Sequence, residues 1–230
     1  MVKNTILGVF GGLGPAASAE FMRLLAELAP AKCDQEHPKI YVYDNPQIPD
    51  RSTAIMGNGP SPEPQLKEGL LKLCSWGAQL LAVPCNTAHY FIDHFRHELP
   101  VPLVHIVEVS VADALKISPE GCWIIATGGT LYSGIYDREA QRRGLKLFKP
   151  DEAVLPRLIE TIGLVKAGKL KQSADVLRPL VEGLWKTRDV PVLCACTELP
   201  LAYEASGLPR SRAVSTLRSL ARACIERLYE

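Results

Sequence analysis

No run in this 230-residue chain approaches the ~20 consecutive apolar residues that a bilayer-spanning helix needs. Charge of one sign is also missing. Lys and Arg total 26 against 25 Asp and Glu, a formal net charge of +1, so neither nucleic acid nor an anionic membrane is an expected partner. Met1-Val2-Lys3-Asn4-Thr5 leads straight into a strand pattern without the cleavage region of a secretory signal, and the expected location is the cytoplasm. No CxxC occurs. The seven cysteines, at 33, 74, 85, 122, 194, 196 and 224, are odd in number and scattered, which argues against a disulfide framework. Cys194-Ala195-Cys196 has no second ligand pair nearby. His89, His94, His97 and His105 lack metal-ligand spacing and read as surface or structural groups, so no metal site is expected. A full GxGxxG is absent: Gly12-Leu13-Gly14 is followed by Ala17, so the turn reads as a small-anion loop or a plain tight turn.

What remains is ordinary globular material, 47% apolar and 22% charged, enough for one large α/β domain or two small lobes. Short apolar runs at 5–10, 39–44, 79–84, 101–106, 122–126, 145–149 and 190–195 alternate with stretches of helical spacing. About seven strand–helix repeats argue a parallel α/β architecture. Each half has a glycine turn early, Gly11-Gly12-Leu13-Gly14 and Thr127-Gly128-Gly129-Thr130, and a cysteine turn late. The expected fold is therefore two pseudo-symmetric lobes, each a mostly parallel sheet flanked by helices, with an active-site cleft between them. Pro100-Val101-Pro102 suggests the boundary. Residues 1–100 plus 213–230 form the expected N-terminal lobe and 101–212 the C-terminal one.

The two cysteine turns carry the chemistry. Leu80-Leu81-Ala82-Val83-Pro84 delivers Cys85 to Asn86-Thr87-Ala88-His89, with Asn86 as the expected N-cap of the next helix. Pro191-Val192-Leu193-Cys194-Ala195 delivers Cys196 to Thr197-Glu198-Leu199-Pro200. A helix start favours thiolate. A buried structural cysteine is the bland alternative, but the polar residues after Cys85 and Cys196 sit where a core wants none. Two thiols on opposite sides of one carbon suit stereoinversion, one removing a proton and the other returning one. Donors for the resulting enolate are Asn86, Thr87, Thr130, Thr197 and helix-start N–H groups. Thr127 and Thr130 serve equally well as simple caps. Arg51 and Lys166 offer charge for a second carboxylate, although a solvated arginine and a helix-terminal lysine explain them as well. Gly12 lets backbone approach a ligand.

These residues resemble the aspartate/glutamate racemase family. Gly11-Gly12-Leu13-Gly14-Pro15 is similar to its GGxGP turn, and Pro49-Asp50-Arg51-Ser52 to its PDR loop. Residues 84–89 resemble its PCNTAH motif, and residues 195–199 its GCTE motif with Ala195 in place of glycine. The resemblance covers nearly the whole chain. It implies a racemase that needs no cofactor, a small acidic amino acid as substrate and a homodimer. It also implies Cys85 and Cys196 as paired acid–base groups and Arg51 with Lys166 as the distal-carboxylate pair. Asn86, Thr87, Thr130 and Thr197 then hold the α-carboxylate and amine. ACTELP rather than GCTHYP points to the aspartate branch. Open alternatives are a dicarboxylate isomerase or decarboxylase with Cys85 as nucleophile, and a thiol-based redox or sensing protein.

Overall fold

The computed structural model describes residues 1–229. The first half of the chain runs β1 (Leu7–Gly11), α1 (Pro15–Leu28), β2 (Ile40–Asp44), α2 (Arg51–Ile55), α3 (Glu63–Ser75), β3 (Leu80–Ala82), α4 (Ala88–Phe95), β4 (Leu103–Val104) and α5 (Ile106–Ile117). The second runs β5 (Cys122–Ile125), α6 (Gly128–Ser133), α7 (Ile135–Arg143), β6 (Leu147–Phe148), α8 (Leu155–Lys166), α9 (Leu170–Thr187), β7 (Val192–Cys194), α10 (Leu199–Ala205), β8 (Ala213–Ser215) and α11 (Thr216–Leu228).

Two four-stranded sheets result, ordered β2-β1-β3-β4 and β6-β5-β7-β8, and every pairing is parallel. The second order repeats the first with each index raised by four, so β3 and β7 are equivalent strands. β1, β3, β5 and β7 are buried throughout, as continuous apolar runs covered by helices on both faces must be.

Between the sheets lies one shared core. Phe21, Leu24 and Leu25 of α1, Val107 and Val111 of α5, and Leu217 and Leu220 of α11 pack there against Leu7 and Val9 of one sheet and Ile124 and Leu193 of the other. α11 packs on α1 and on α5, and α5 on α7, so the last helix of each half rests on the other half. Leu66, Leu70 and Leu73 of α3 cover the outer face of the first sheet. Leu158 and Ile162 of α8, with Leu177 and Val181 of α9, cover the outer face of the second.

The sheets divide the chain elsewhere than the expected lobe limits. β4 follows Pro100 and Pro102 yet pairs with β3 in the first sheet, so those prolines mark a turn within a half. Residues 213–215 form β8, paired with β7 in the second sheet, and only the helix after them packs on α1. Residue 230, the end of the expected 213–230 segment, lies outside the described residues. The strand expected at 101–106 shortens to two residues because α5 already starts at Ile106. No helix among the described residues is long and apolar enough to cross a membrane.

His89 and His105 are buried, whereas His94 and His97 lie on the surface. His89 Nδ1–H donates to the Cys85 carbonyl at 2.8 Å, and its Nε2 accepts from the Ile106 N–H at 3.4 Å. That arrangement requires a neutral ring. Burial first, then the neighbouring His105, pulls the His89 pKa from 6.5 down to about 3.

Two outcomes follow from this packing. Leu220→Ala, emptying a site in the shared core, lowers stability by about 2–5 kcal/mol in urea unfolding, and far-UV circular dichroism and tryptophan fluorescence still report one coincident transition. Separate transitions would show that the sheets do not share a core. The folded protein resists the proton that unfolded His89 accepts below 6.5. Its contribution is therefore whole above 6.5 and declines as pH falls toward about 3. Between pH 7.5 and 5 the urea midpoint of wild type drops, and that of His89→Gln drops less; equal slopes would contradict the buried neutral ring.

Candidate active site

Each cysteine stands three residues before a helix, Cys85 before α4 and Cys196 before α10. Fully buried strands end there, and the chain turns with polar residues inside, Asn86-Thr87 in one half and Thr197-Glu198 in the other. All four are buried, as are both thiols, Cys85 at 5% and Cys196 at 6% exposure. The two cysteines line one small cavity of about 30 Å³. Arg51, Asn86, Thr87, Thr127, Lys166 and Thr197 line it too. Leu13, Asp50, Ser52 and Glu198 complete it and were not foreseen as site residues. The PDR loop brings in Asp50 and Ser52 beside Arg51. Glu198 had a signal in the sequence, being a lone carboxylate among apolar residues two positions after Cys196.

Glu198 dominates the second turn. Its Oε2 accepts from the Cys196 thiol at 3.1 Å and from the Thr197 hydroxyl at 3.3 Å. Its Oε1 is buried with no partner among the described residues. A Cβ on Gly14 would stand 2.9 Å from that oxygen, so the carboxylate leans on the first glycine turn. Burial, and next the negative charge of Glu198, hold the Cys196 pKa well above the ordinary thiol range, with Lys166 opposing. Cys196 is a thiol. The other buried cysteines behave as core: burial pushes both Cys122 and Cys224 up to about 12.

Thr87 plays the corresponding part in the first turn. Its hydroxyl meets Thr130 Oγ1 at 2.7 Å and Thr127 Oγ1 at 3.3 Å, both on the second glycine turn. Thr127 also caps α6, accepting from the Thr130 N–H at 3.1 Å. Thr130 therefore supports the cavity wall from behind and does not line the space.

Three expectations change. Asn86 is not the N-cap of α4, a position held by Thr87 without a side-chain bond. Its amide is drawn across the seam, accepting from Tyr136 Oη at 2.5 Å and donating to Thr216 Oγ1 at 3.1 Å. Gly12 does not line the cavity. Its N–H is occupied by Ser18 Oγ at 2.8 Å, and its φ of 89° beside the Asn45 backbone accounts for the glycine. Arg51 is no free fork. Its Nη1 donates to the Ile48 and Pro49 carbonyls at 3.2 and 3.1 Å, and its Nη2 to the Leu13 carbonyl at 2.9 Å. Nε, buried and without a partner among the described residues, and the second N–H of Nη2 are left. Lys166, exposed at the end of α8, lines both the cavity and an adjoining groove of about 350 Å³ that also takes in Gly12, Gly14 and Arg51. Among the described residues no cluster of three or more His, Cys, Asp or Glu side chains is placed to hold a metal.

About 30 Å³ holds a water or two and not an amino acid. The roof is α2, which crosses from the first half to pack on α6. The contact is close: a Cβ on Gly129 would stand 2.5 Å from the Ser52 Cα. Gly129→Ala must therefore push α2 away. The expected result is a loss of about 1–3 kcal/mol in thermal unfolding together with faster alkylation of Cys85 by a small thiol reagent. Unchanged melting and alkylation would mean that α2 does not seal the space.

A family model described as Asp/Glu/hydantoin racemase matches residues 10–223. The structure is similar to the aspartate racemase of Picrophilus torridus, with 27% identity, a TM-score of 0.84, and 97% of this chain and 94% of that chain covered. It shares the fold of an aspartate racemase homologue from Pyrococcus horikoshii OT3, at 21% identity and TM-score 0.78, over 99% of this chain and 100% of that one. The sequence is 24% identical over 204 residues to the broad specificity amino-acid racemase RacX of Bacillus subtilis, spanning 84% of this chain and 86% of that protein. It is 28% identical over 127 residues to the glutamate racemase of Aquifex aeolicus, spanning 54% of this chain and 48% of that protein. With the match running through both glycine turns and both cysteine turns, the chain belongs to the Asp/Glu/hydantoin racemase family.

Proposed function

We propose that this isomerase inverts the α-carbon of a small acidic amino acid, aspartate foremost, by a two-base reaction of Cys85 and Cys196 without a cofactor. One observation carries the reading: two cysteines at equivalent strand ends, one per half, line the same buried cavity. Similarity to an aspartate racemase supports aspartate, and similarity to RacX and to a glutamate racemase supports a wider range of amino acids. The family resemblance supports a homodimer.

In one direction Cys85, as thiolate, takes the proton from Cα, and Cys196, resting as a thiol, delivers its own to the opposite face. In the other direction Cys196 must first lose its proton, for which Glu198 is the adjacent acceptor. The difficult step is charge build-up on the carboxylate as Cα ionises. The Thr197 hydroxyl, the second N–H of Asn86 and the N–H groups at the starts of α4 and α10 are the donors at hand. Lys166 and the Nε of Arg51 bring positive charge toward a side-chain carboxylate. Asp50 stays ionised beside them. Burial works against that, but bonds from the Thr53 N–H and hydroxyl, with Arg51 and Lys166, hold its pKa low. Its negative charge stands against a second carboxylate unless Lys166 and Arg51 outweigh it, so specificity rests on that balance.

Incubation with L-aspartate in deuterium oxide yields D-aspartate carrying deuterium at Cα. Absence of exchange with every acidic amino acid tried would sink the proposal. Cys85→Ser and Cys196→Ser each lower kcat by about 10²–10⁴-fold; full activity in either rules out two thiols, and a covalent adduct on Cys85 alone would favour the nucleophilic alternative. Glu198→Gln removes the charge that raises the Cys196 pKa, so the ascending limb of the direction using Cys196 as base moves to lower pH. An unmoved limb would separate Glu198 from the proton traffic.

A further inference from the structure

A chain of buried hydrogen bonds links the two cysteine turns through Tyr136 and Thr216, which lie outside every motif. Tyr136, on α7, donates its O–H to Asn86 Oδ1 at 2.5 Å. Asn86 Nδ2 donates to Thr216 Oγ1 at 3.1 Å, and Thr216 in turn donates to the Cys194 carbonyl at 3.0 Å. Asn86 adjoins Cys85, and Cys194 lies two residues before Cys196. Tyr136, Asn86 and Thr216 are each 1% exposed or less. The donor order is consistent along the chain: the Tyr136 hydroxyl only has to donate, the Asn86 amide is oriented by both neighbours, and Thr216 accepts once and donates once. Burial keeps the Tyr136 O–H protonated and therefore always a donor.

We propose that this Tyr136–Asn86–Thr216–Cys194 chain sets the separation and facing of the two thiols, with Tyr136 and Thr216 as positioning residues for the reaction. The inference deepens the two-thiol reading of the site and rests on it. The seam needs such a device. Cys85 and Cys196 sit on different sheets, and apolar packing between sheets has no direction, whereas hydrogen bonds to a strand end do. The contacts are those of a clamp: one amide is tied to α7 through its oxygen and to the β8–α11 junction through its nitrogen. The junction is tied to the end of β7. Asn86 keeps one N–H for a ligand, so positioning and binding are compatible in the same side chain. Tyr136 lies on α7 and Thr216 opens α11, and neither lines the cavity.

Tyr136→Phe and Thr216→Val break the clamp while nearly preserving volume, and Thr216→Ser preserves it. The expected result is a kcat lower by about 10- to 100-fold with KM within about twofold, and recovery in Thr216→Ser. The discriminating readout is the ratio of deuterium entering unreacted substrate to inversion. Misplaced thiols still exchange a proton on one face but deliver poorly to the other, so the ratio rises. An independent readout uses 1,3-dichloroacetone, where each thiolate displaces one chloride to leave a three-carbon bridge between the two sulfurs. Peptide mass spectrometry then measures the Cys85–Cys196 bridge, whose yield falls in Tyr136→Phe and Thr216→Val. Folded variants with wild-type bridging and an unchanged exchange-to-inversion ratio overturn the inference. If Thr216→Val does not fold, Tyr136→Phe, which removes a single oxygen, decides it. If the wild type racemises nothing, the proposed function fails, and the bridge yields alone still decide whether the clamp positions the thiols.

Discussion

Polar groups at two buried strand ends must share one small space, and those of the first end are satisfied by the opposite half of the molecule. Thr87 reaches the hydroxyls of Thr127 and Thr130, Glu198 rests on the Gly14 turn, and Asn86 spans to Tyr136 and Thr216. An unpaired buried polar group costs about 1–3 kcal/mol. Neither half alone can leave these groups inside. The shared helical core brings the strand ends together, and the cross-seam bonds then decide how they face.

Charge is distributed with the same economy. The one carboxylate deep in the cavity, Glu198, sits on the Cys196 thiol and keeps it protonated. The positive groups, Arg51 and Lys166, line both the cavity and the adjoining groove. Arg51 commits most of its donors to the carbonyls of Leu13, Ile48 and Pro49, so it fastens the first glycine turn to the loop before α2. Lys166, exposed at its helix end, is the cation shared by the cavity and the groove beside it. For the proposed reaction this leaves hydroxyl and amide donors and one carboxylate around the reacting groups, with Lys166 reaching into the adjoining groove to attract an anion.

The parallel repeat, the buried strands and the equivalence of the two cysteine turns were legible in the sequence, because continuous apolar runs and polar residues after them are local patterns. The lobe limits were not. Pro100 and Pro102 look like a boundary, yet β4 continues the first sheet, since strand pairing depends on partners far along the chain. Asn86 has the local form of an N-cap, and a long-range competitor, the Tyr136–Thr216 pair, claims its amide. Arg51 lines the cavity and Gly12 the groove beside it, but with donors already engaged by neighbours that no spacing rule reveals. Glu198 stands in the second cysteine motif, but its weight comes from burial against Cys196, which no local pattern shows.

By itself the sequence determined the α/β class, the duplicated rhythm and the choice of two thiols at helix starts, because each follows from periodicity and composition over a few residues. Tertiary structure decided which residues are free to meet a ligand. That depends on hydrogen-bond capacity left after folding, and the competition for each donor runs between residues about 40 to 130 positions apart, as for Thr87 with Thr130 and Asn86 with Thr216.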